Sequence, residues 1–302
     1  MFKKSLFLIL IVTAFIVLWT VFQYSQVTSS ENSATQLFQM DFVSAISEQV
    51  TGSLSLIDST SKAQVRLEEL GELSPVTGMV EIQKRDIESL KMQELEYQYI
   101  EIRAKETNAQ PINISNWSIQ SMISDTWIGI PQGVERYVAG EVNELQDIYL
   151  RPGDRALIAT KQSPVGVSFR VNRCSGFLGT TQTFEPSLRT ACINPRDILP
   201  PTIDNLKEYG AECVRFAENF DRCSYVTDNT RGYSNLSQAC LDRIQPRLTY
   251  NYCIEAQGND EDFFNPGEWR IFLNQDGVAW RDSYEVVRLL DENNRTVDVV
   301  TY

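Results

Sequence analysis

The chain has 302 residues, enough for one large or two small domains, and 42% of them are hydrophobic, so there is material for a core. It carries 40 acidic and 27 basic side chains and a net charge of −13. No nucleic-acid partner is expected, because phosphate binding needs clustered lysine and arginine. Histidine is absent, which excludes Ser-His-Asp and Cys-His catalysis and every zinc site built on imidazole.

The first predicted element is a membrane-spanning helix at residues 5–24, after a cytoplasmic stub at residues 1–4. Its sequence LFLILIVTAFIVLWTVF is almost wholly apolar, and a helix of this length crosses about 30 Å of hydrocarbon. Two lysines precede this stretch, and the next basic residue after it is Lys62. That asymmetry places the N-terminus in the cytoplasm and the rest of the chain outside.

A cleaved signal peptide is the competing interpretation of this segment, since it also combines a basic start with an apolar middle. The apolar stretch is long for such a peptide, and Trp19, Phe22 and Tyr24 resemble an interfacial aromatic belt more than a small-residue cleavage site. We therefore favour the uncleaved anchor, which makes membrane lipid a partner of the helix. The predicted location is the cell membrane, single-pass, with the C-terminal domain extracytoplasmic under either interpretation.

Residues 25–73 are predicted to be a juxtamembrane linker or stalk, which begins with small polar residues. Four apolar residues then recur at near-helical spacing: Phe38, Phe42, Ile46 and Val50. Gly52 and a serine-rich stretch interrupt this pattern. Two interpretations stay open, a short helix that pairs with a copy of itself and a loosely ordered spacer.

From Ser74 the pattern changes to short alternating segments separated by turns such as Arg151-Pro152-Gly153-Asp154, which predicts a β-sandwich or barrel. The second segment places Tyr97, Tyr99 and Glu101 on one face. A parallel α/β sheet is not predicted, because crossover helices are missing between the strands. The predicted strands are 79–83, 97–102, 112–119, 127–130, 147–150, 156–159, 165–171, 270–273, 285–290 and 297–302.

A cysteine-bearing segment at about 174–258 interrupts the strands and has helix-like stretches at 204–219 and 237–247. We expect it to be an insertion with little apolar core of its own. The predicted fold class is therefore mainly β, a sandwich domain over residues 74–302 with a disulfide-bonded, partly helical insertion.

All six cysteines fall in this insertion: Cys174, Cys192, Cys213, Cys223, Cys240 and Cys253. An even number in an exported segment predicts three disulfides. Zinc is the alternative, but no C-x₂₋₄-C knuckle occurs. Six cysteines allow fifteen pairings. Our hypothesis is that Cys174 pairs with Cys192, while Cys213–Cys253 and Cys223–Cys240 tie a helical hairpin.

Five motifs follow one another along the strands: EYQYIEIR (96–103), PINISNWSI (111–119), IGIPQG (128–133), LRPGDRALI (150–158) and VRLLDENNRTVDVVTY (287–302). This ordered series resembles the lamin-tail domain of nuclear lamins and of bacterial surface and secreted proteins, including membrane-anchored forms with insertions. The resemblance covers roughly residues 74–171 and 269–302, with Asn116 where glycine usually precedes the tryptophan. It implies an immunoglobulin-like fold, no catalytic residues, and functions in binding or tethering.

One metal candidate is the acidic segment from Glu255 to Glu268, where Asp260, Glu261 and Asp262 offer hard oxygen ligands for Ca²⁺. The D-x-D-x-D-G spacing of an EF-hand is missing, and acidic loops are more often simply solvated. No other metal and no cofactor is predicted.

Two further sets of residues have an ordinary and a functional interpretation. Four tryptophans of the predicted sandwich domain would line either the core or an aromatic surface: Trp117, Trp127, Trp269 and Trp280. Four asparagines lie in N-x-[ST] sequons that matter only in a glycosylating host: Asn113, Asn116, Asn235 and Asn294.

The favoured prediction is a non-catalytic, membrane-anchored envelope protein of bacterial type. Its immunoglobulin-like module would present a binding or adhesive surface to a protein or glycan at the cell surface. One alternative is an envelope hydrolase or carbohydrate-active protein that uses carboxylates. A structural stalk protein is the other. A deep pocket with two acidic side chains facing each other would favour the hydrolase, and a flat or ridged surface the binding protein.

Overall fold

Two β-sheets form the body of the domain. The computed structural model describes residues 71–188 and 192–302. Its strands are β1 (Val80–Ile82), β2 (Tyr99–Ala104), β3 (Ile112–Asn113), β4 (Ser118–Ser121), β5 (Thr126–Gly129), β6 (Tyr149–Leu150), β7 (Arg155–Ala159), β8 (Phe169–Arg170), β9 (Glu268–Phe272), β10 (Val286–Leu290) and β11 (Thr296–Thr301). They form a five-stranded sheet in the order β1-β2-β7-β9-β8, a four-stranded sheet in the order β11-β10-β4-β5, and a small β3-β6 pair.

The inner faces of the two sheets share one hydrophobic cluster, which makes the domain a sandwich. Because side chains alternate along a strand, Ile100 and Ile102 of β2 point inward together, opposite Val287 and Leu289 of β10. Three of the four tryptophans in residues 74–302 are buried: Trp117, Trp269 and Trp280. The predicted β-sheets and the disulfide-bonded, partly helical insertion are thus confirmed. The description "mainly β" fits the sandwich only, since helices and strands hold similar shares of the domain.

The helices are concentrated in the insertion. They are α1 (Ile87–Leu90), α2 (Gly176–Thr181), α3 (Pro195–Ile198), α4 (Ile203–Tyr209), α5 (Ala211–Asn219), α6 (Gln238–Ile244) and α7 (Tyr250–Gln257), with 3₁₀ turns at Lys84–Asp86, Tyr233–Asn235 and Gln245–Arg247. Thr202, Ser237 and Thr249 cap α4, α6 and α7, because each side-chain oxygen accepts from a backbone N–H in the first turn. The predicted stretch 204–219 is two helices, separated at Gly210 with φ 84°.

The insertion has a hydrophobic core of its own, so the expectation that it has little was wrong. Ten buried residues form this cluster: Ile198, Leu199, Cys213, Val214, Ala217, Val226, Cys240, Leu241, Ile244 and Leu248. A second cluster attaches the insertion to the outer face of the five-stranded sheet, where Phe184 packs against Phe272 and Phe169. The insertion is therefore a packed subdomain as well as a disulfide-bonded one.

The prediction that all six cysteines form disulfides is confirmed, and no cysteine among them is free. The hypothetical pairing was wrong at every bond, because the observed bonds are Cys174–Cys253, Cys192–Cys223 and Cys213–Cys240, with Cα–Cα distances of 5.8, 5.2 and 5.7 Å. The packing of α5 against the other helices brings Cys213 to α6 instead of α7. Cys253 of α7 reaches Cys174, where the insertion leaves the sheet.

The return from the insertion creates a parallel strand pair. Strand β9 lies between β7 and β8, parallel to the former and antiparallel to the latter. The helices of the insertion thus serve as the crossover that a parallel pair requires, a connection that strand spacing alone did not indicate. In this register Arg155 lies opposite Glu268.

No helix within residues 71–188 and 192–302 is both long and apolar enough to cross a membrane. The predicted anchor at 5–24 and almost the whole predicted linker at 25–73 lie outside the described residues.

Asp291 organises the turn between β10 and β11. Its buried carboxylate accepts backbone N–H bonds from Asn293 and Arg295 at 2.9 Å each, and the Nε of Arg295 donates to its other oxygen at 2.9 Å. Burial by itself would raise the pKa of Asp291, but the bonds from Arg295, Ser74 and Asn293 outweigh it and lower that pKa.

Replacement of this carboxylate gives a pH-dependent prediction. A lowered pKa means that ionised Asp291 contributes stability above the unfolded pKa of about 4 and loses it as the pH falls through the folded value. Asp291→Asn should lower the free energy of unfolding by about 1–3 kcal/mol at pH 7, and the difference from wild type should shrink below pH ~4. Urea denaturation of the full chain from pH 3 to 7 measures this.

The exposed Asp228 supplies the matched control, since Asp228→Asn should follow the wild-type curve. A deficit of Asp291→Asn that stays constant down to pH ~3 would contradict the assigned role of the charge.

Candidate functional site

A groove lies on the outer face of the five-stranded sheet, where the insertion leaves part of the sheet uncovered. Strands β2, β7 and β9 form its floor, and the segment 185–188 of the insertion forms one wall. The volume is about 400 Å³, and a second hollow of about 270 Å³ adjoins it. Arg85, Asp86, Tyr99 and Glu185 line both hollows, so the two make one continuous groove.

Strand register assembles the floor from residues far apart in sequence. Glu101 of β2 lies opposite Leu157 of β7, which lies opposite Arg270 of β9. One row along, Arg155 lies opposite Glu268. Because side chains two positions apart share a face, all five point away from the sandwich core.

The charged side chains of the floor form a continuous series of ion pairs. Arg85 contacts Glu101 at 3.2 Å, and Arg155 contacts the other oxygen of Glu101 at 3.7 Å. The Nε of Arg155 donates to Oε2 of Glu268 at 2.9 Å. Arg270 donates to Oε1 of the same carboxylate. Acidic and basic groups therefore alternate across three strands.

Burial makes this pairing necessary. The side chain of Glu268 is 4% exposed, and those of Glu101 and Arg270 are nearly as buried. A buried charge is tolerated when it is paired and hydrogen-bonded. Arg270 also donates to the carbonyl oxygens of Pro186 and Ser187, so the same charges hold the wall of the groove against the sheet.

The wall is anchored at both ends by apolar side chains. Phe184 and Leu188 are buried in the cluster that joins the insertion to the sheet. Cys192, four residues beyond Leu188, is bonded to Cys223 in the body of the insertion. Between these anchors, Glu185 and Ser187 remain accessible and face the groove.

At Gly267, just before β9, the backbone passes close to the side chain of Asp154. Gly267 has φ 71°, and a Cβ there would overlap the carboxylate of Asp154. Burial raises the pKa of Asp154, while the nearby Arg170, at 3.3 Å, acts to lower it. Glycine is needed here because this positive φ and this contact both disfavour a side chain.

The far end of the groove, which is the second hollow with Met92 and Tyr97, is less polar than the floor. Tyr97 and Met92 are 42% and 45% exposed there, and Tyr99 is half-buried. Burial and, after it, the carboxylate of Asp86 raise the pKa of Tyr99, with a smaller contribution from Glu185. The phenol thus stands in a negative local potential. The predicted shared face of Tyr97, Tyr99 and Glu101 corresponds to this edge of the groove.

The acidic segment that suggested Ca²⁺ is not gathered into one site. Arg173 contacts Asp262 at 3.0 Å and Asp260 at 3.6 Å, while Glu261 is exposed. Glu255 lies exposed on α7, and Glu268 is buried in the floor of the groove. In the part of the chain that the structure describes, no three Cys, Asp or Glu side chains are grouped as metal ligands.

The tryptophans and sequons are distributed over the domain. Trp117, Trp269 and Trp280 belong to the core, and Trp127 is 47% exposed on strand β5. They do not form one aromatic surface. Three sequon asparagines are exposed and one is half-buried: Asn116, Asn235 and Asn294, and Asn113.

Arg155, Glu268 and Arg270 were not predicted to form a group. Each is a charged residue within or beside an apolar strand, and an unpaired charge there would be costly. The pattern indicates that each charge has a partner but does not indicate which one, because more than one hundred residues separate Arg155 from Glu268.

Comparisons of this chain with protein-family models, with curated proteins and with solved structures found no match. Its function is therefore argued from the groove.

Disruption of the Arg155–Glu268 ion pair should destabilise the fold. Glu268→Met should lower the free energy of unfolding by about 3–5 kcal/mol, because it leaves the buried Arg270 without its carboxylate. Arg155→Met should lower it by less, because Glu268 keeps the bond from Arg270. The double variant should lose less than the sum of the two, with a coupling energy of about 1–3 kcal/mol. Urea denaturation of the full chain and the three variants gives the four unfolding free energies of this double-mutant cycle.

A second cycle on the exposed pair Arg215–Glu212 of α5 is the control and should give a coupling below about 1 kcal/mol. Equal coupling energies in the two cycles would show that burial does not strengthen the pair in the groove.

Proposed function

We propose that this protein is a non-catalytic, membrane-anchored binding protein of the bacterial cell envelope, whose immunoglobulin-like domain presents the groove to a partner outside the cytoplasm. The observation that carries the proposal is a groove between a sheet and a disulfide-bonded insertion, lined by charged side chains of which most are paired with one another. Such a surface offers shape and polar contacts, and its two buried carboxylates, Glu101 and Glu268, are both engaged by arginines.

The ion pairs favour binding over carboxylate catalysis. Glu101 and Glu268 are two buried carboxylates in one groove, as a glycosidase would require. However, Arg155 lies between them, and both oxygens of Glu268 accept bonds from guanidinium groups. A substrate would have to displace those bonds before either carboxylate acted on it.

Features of the sandwich support the lamin-tail resemblance. Asn116 has φ 65°, a left-handed conformation that suits the glycine usual at this position and that asparagine tolerates better than most residues. Asp291 of the closing motif supplies the hydrogen bonds of the last hairpin turn. We extend the binding and tethering functions of that family to this protein as part of the proposal.

Export is supported by the disulfides, which persist in oxidising compartments and are rare in the cytosol. The location also tests the proposal. When spheroplasts that display the full chain are treated with protease, the C-terminal domain should be digested and an N-terminal tag should stay protected. Maleimide should label no thiol before reduction. A domain protected in intact spheroplasts, or labelled without reduction, would contradict extracytoplasmic placement.

Obstruction of the groove tests binding itself. The full chain in nanodiscs is applied to printed arrays of envelope oligosaccharides and short peptides. Ser187→Trp fills the groove from its wall and should weaken the binding of hits at least about tenfold. Ser234→Trp, exposed on the insertion outside the groove, should change it less than about twofold. Melting midpoints within about 2 °C of wild type establish that both variants fold.

Hits that Ser187→Trp does not weaken would place binding elsewhere and contradict the proposed role of the groove. Cleavage of an arrayed oligosaccharide that is lost in Glu268→Gln would favour the hydrolase instead.

A further inference from the structure

Glu185 differs from the other acidic side chains of the groove in its pairing. Asp86 and Glu101 contact Arg85, and Glu268 contacts Arg155 and Arg270. At the far end, Glu88 contacts Lys91 at 2.8 Å. Across residues 71–188 and 192–302, Glu185 forms no ion pair and no hydrogen bond. Among the described residues that line the groove, Glu185 is therefore the carboxylate without a basic partner.

The position of this carboxylate is central. Glu185 lines both hollows, where they meet beside Tyr99. Tyr99 lines the same two hollows, so the carboxylate and the phenol ring border one space. A cation held by Glu185 would therefore also face an aromatic ring, a second attractive interaction for a positive charge.

The surface beyond Glu185 is suited to methylene groups. Met92 and Tyr97 line this part of the groove and are both exposed to a little under half. A flexible thioether and an aromatic ring pack well against an aliphatic chain. The groove thus combines a carboxylate, Glu185, with the apolar side chains of Met92 and Tyr97.

From these positions, and on the basis of the proposed function, we propose that the part of the groove from Glu185 to Met92 and Tyr97 binds the side chain of a lysine in an extended peptide. The ammonium group pairs with Glu185 beside Tyr99, and the four methylenes lie over Met92 and Tyr97. An arginine suits the site less well, because its larger guanidinium would come close to Arg85. An amino sugar suits it less well too, since its hydroxyls would face Met92 without hydrogen-bond partners.

The test uses the full chain in nanodiscs of zwitterionic lipid, so that the lipid does not itself attract lysine. The probe is a fluorescent acetyl-Gly-Lys-Gly-Lys-Gly peptide, and a norleucine peptide of the same length lacks only the ammonium groups. Fluorescence anisotropy should show binding of the lysine peptide at least about tenfold tighter than that of the norleucine peptide. The lysine affinity should fall as salt rises from ~0.05 to ~0.5 M.

Matched variants locate the interaction. Glu185→Gln should weaken lysine binding about fivefold, whereas Glu255→Gln removes the same charge from an exposed site on α7 and should leave it unchanged. Tyr97→Ala should weaken binding about threefold to fivefold, and Tyr284→Ala, which removes an exposed tyrosine outside the groove, should not. Glu185→Asp, which keeps the charge, should retain more affinity than Glu185→Gln.

Equal losses in Glu185→Gln and Glu255→Gln would mean that the acidic surface attracts lysine generally, and would overturn the proposal. So would equal binding of the norleucine peptide, or binding of a glucosamine oligomer in place of the lysine peptide. If Ser187→Trp blocks some other ligand while lysine binding fails these tests, the groove remains a binding site and the ligand class is wrong. If Ser187→Trp weakens no hit at all, the proposed function fails as well.

Discussion

The pairing of β9 with β7 is the constraint on which the remaining structure depends. The chain leaves the sheet after β8 and forms the whole insertion. It then returns as β9, which lies between β7 and β8. This return places Glu268 opposite Arg155 and Arg270 beside Leu157. It also brings both ends of the insertion to one edge, where Cys174 and Cys253 bond. The pairing of β9 with β7 therefore determines the floor of the groove, the attachment of its wall and the base of the insertion.

The charges of the floor show how a single set of contacts serves folding and recognition together. Buried ion pairs contribute less to stability than well-packed apolar side chains would, but removal of one member is costly because the other stays buried and unpaired. They do, however, define one arrangement of three strands and one position for the wall. A binding groove needs a fixed shape more than it needs maximal stability. The paired arginines and glutamates supply that shape and leave Glu185 as the exception.

The insertion combines two independent means of support. Its own hydrophobic cluster packs its helices together, and a second cluster packs it against the outer face of the sheet. The disulfides act mainly by restricting the unfolded chain, which matters most for the 79-residue separation between Cys174 and Cys253. Since the wall of the groove belongs to this insertion, whatever orders the insertion also holds the binding surface in place.

The local features of this protein could be predicted from its amino-acid sequence. Alternation located strands such as β2 and β10 to within about two residues, because side-chain direction along a strand depends only on neighbouring positions. The even number of cysteines predicted that all would be bonded. Only the tertiary structure decided which cysteines meet, that the insertion has a core, and that Arg155 lies opposite Glu268. Each of these depends on how helices pack and where the chain re-enters the sheet, and no local pattern records contacts between residues eighty or a hundred positions apart.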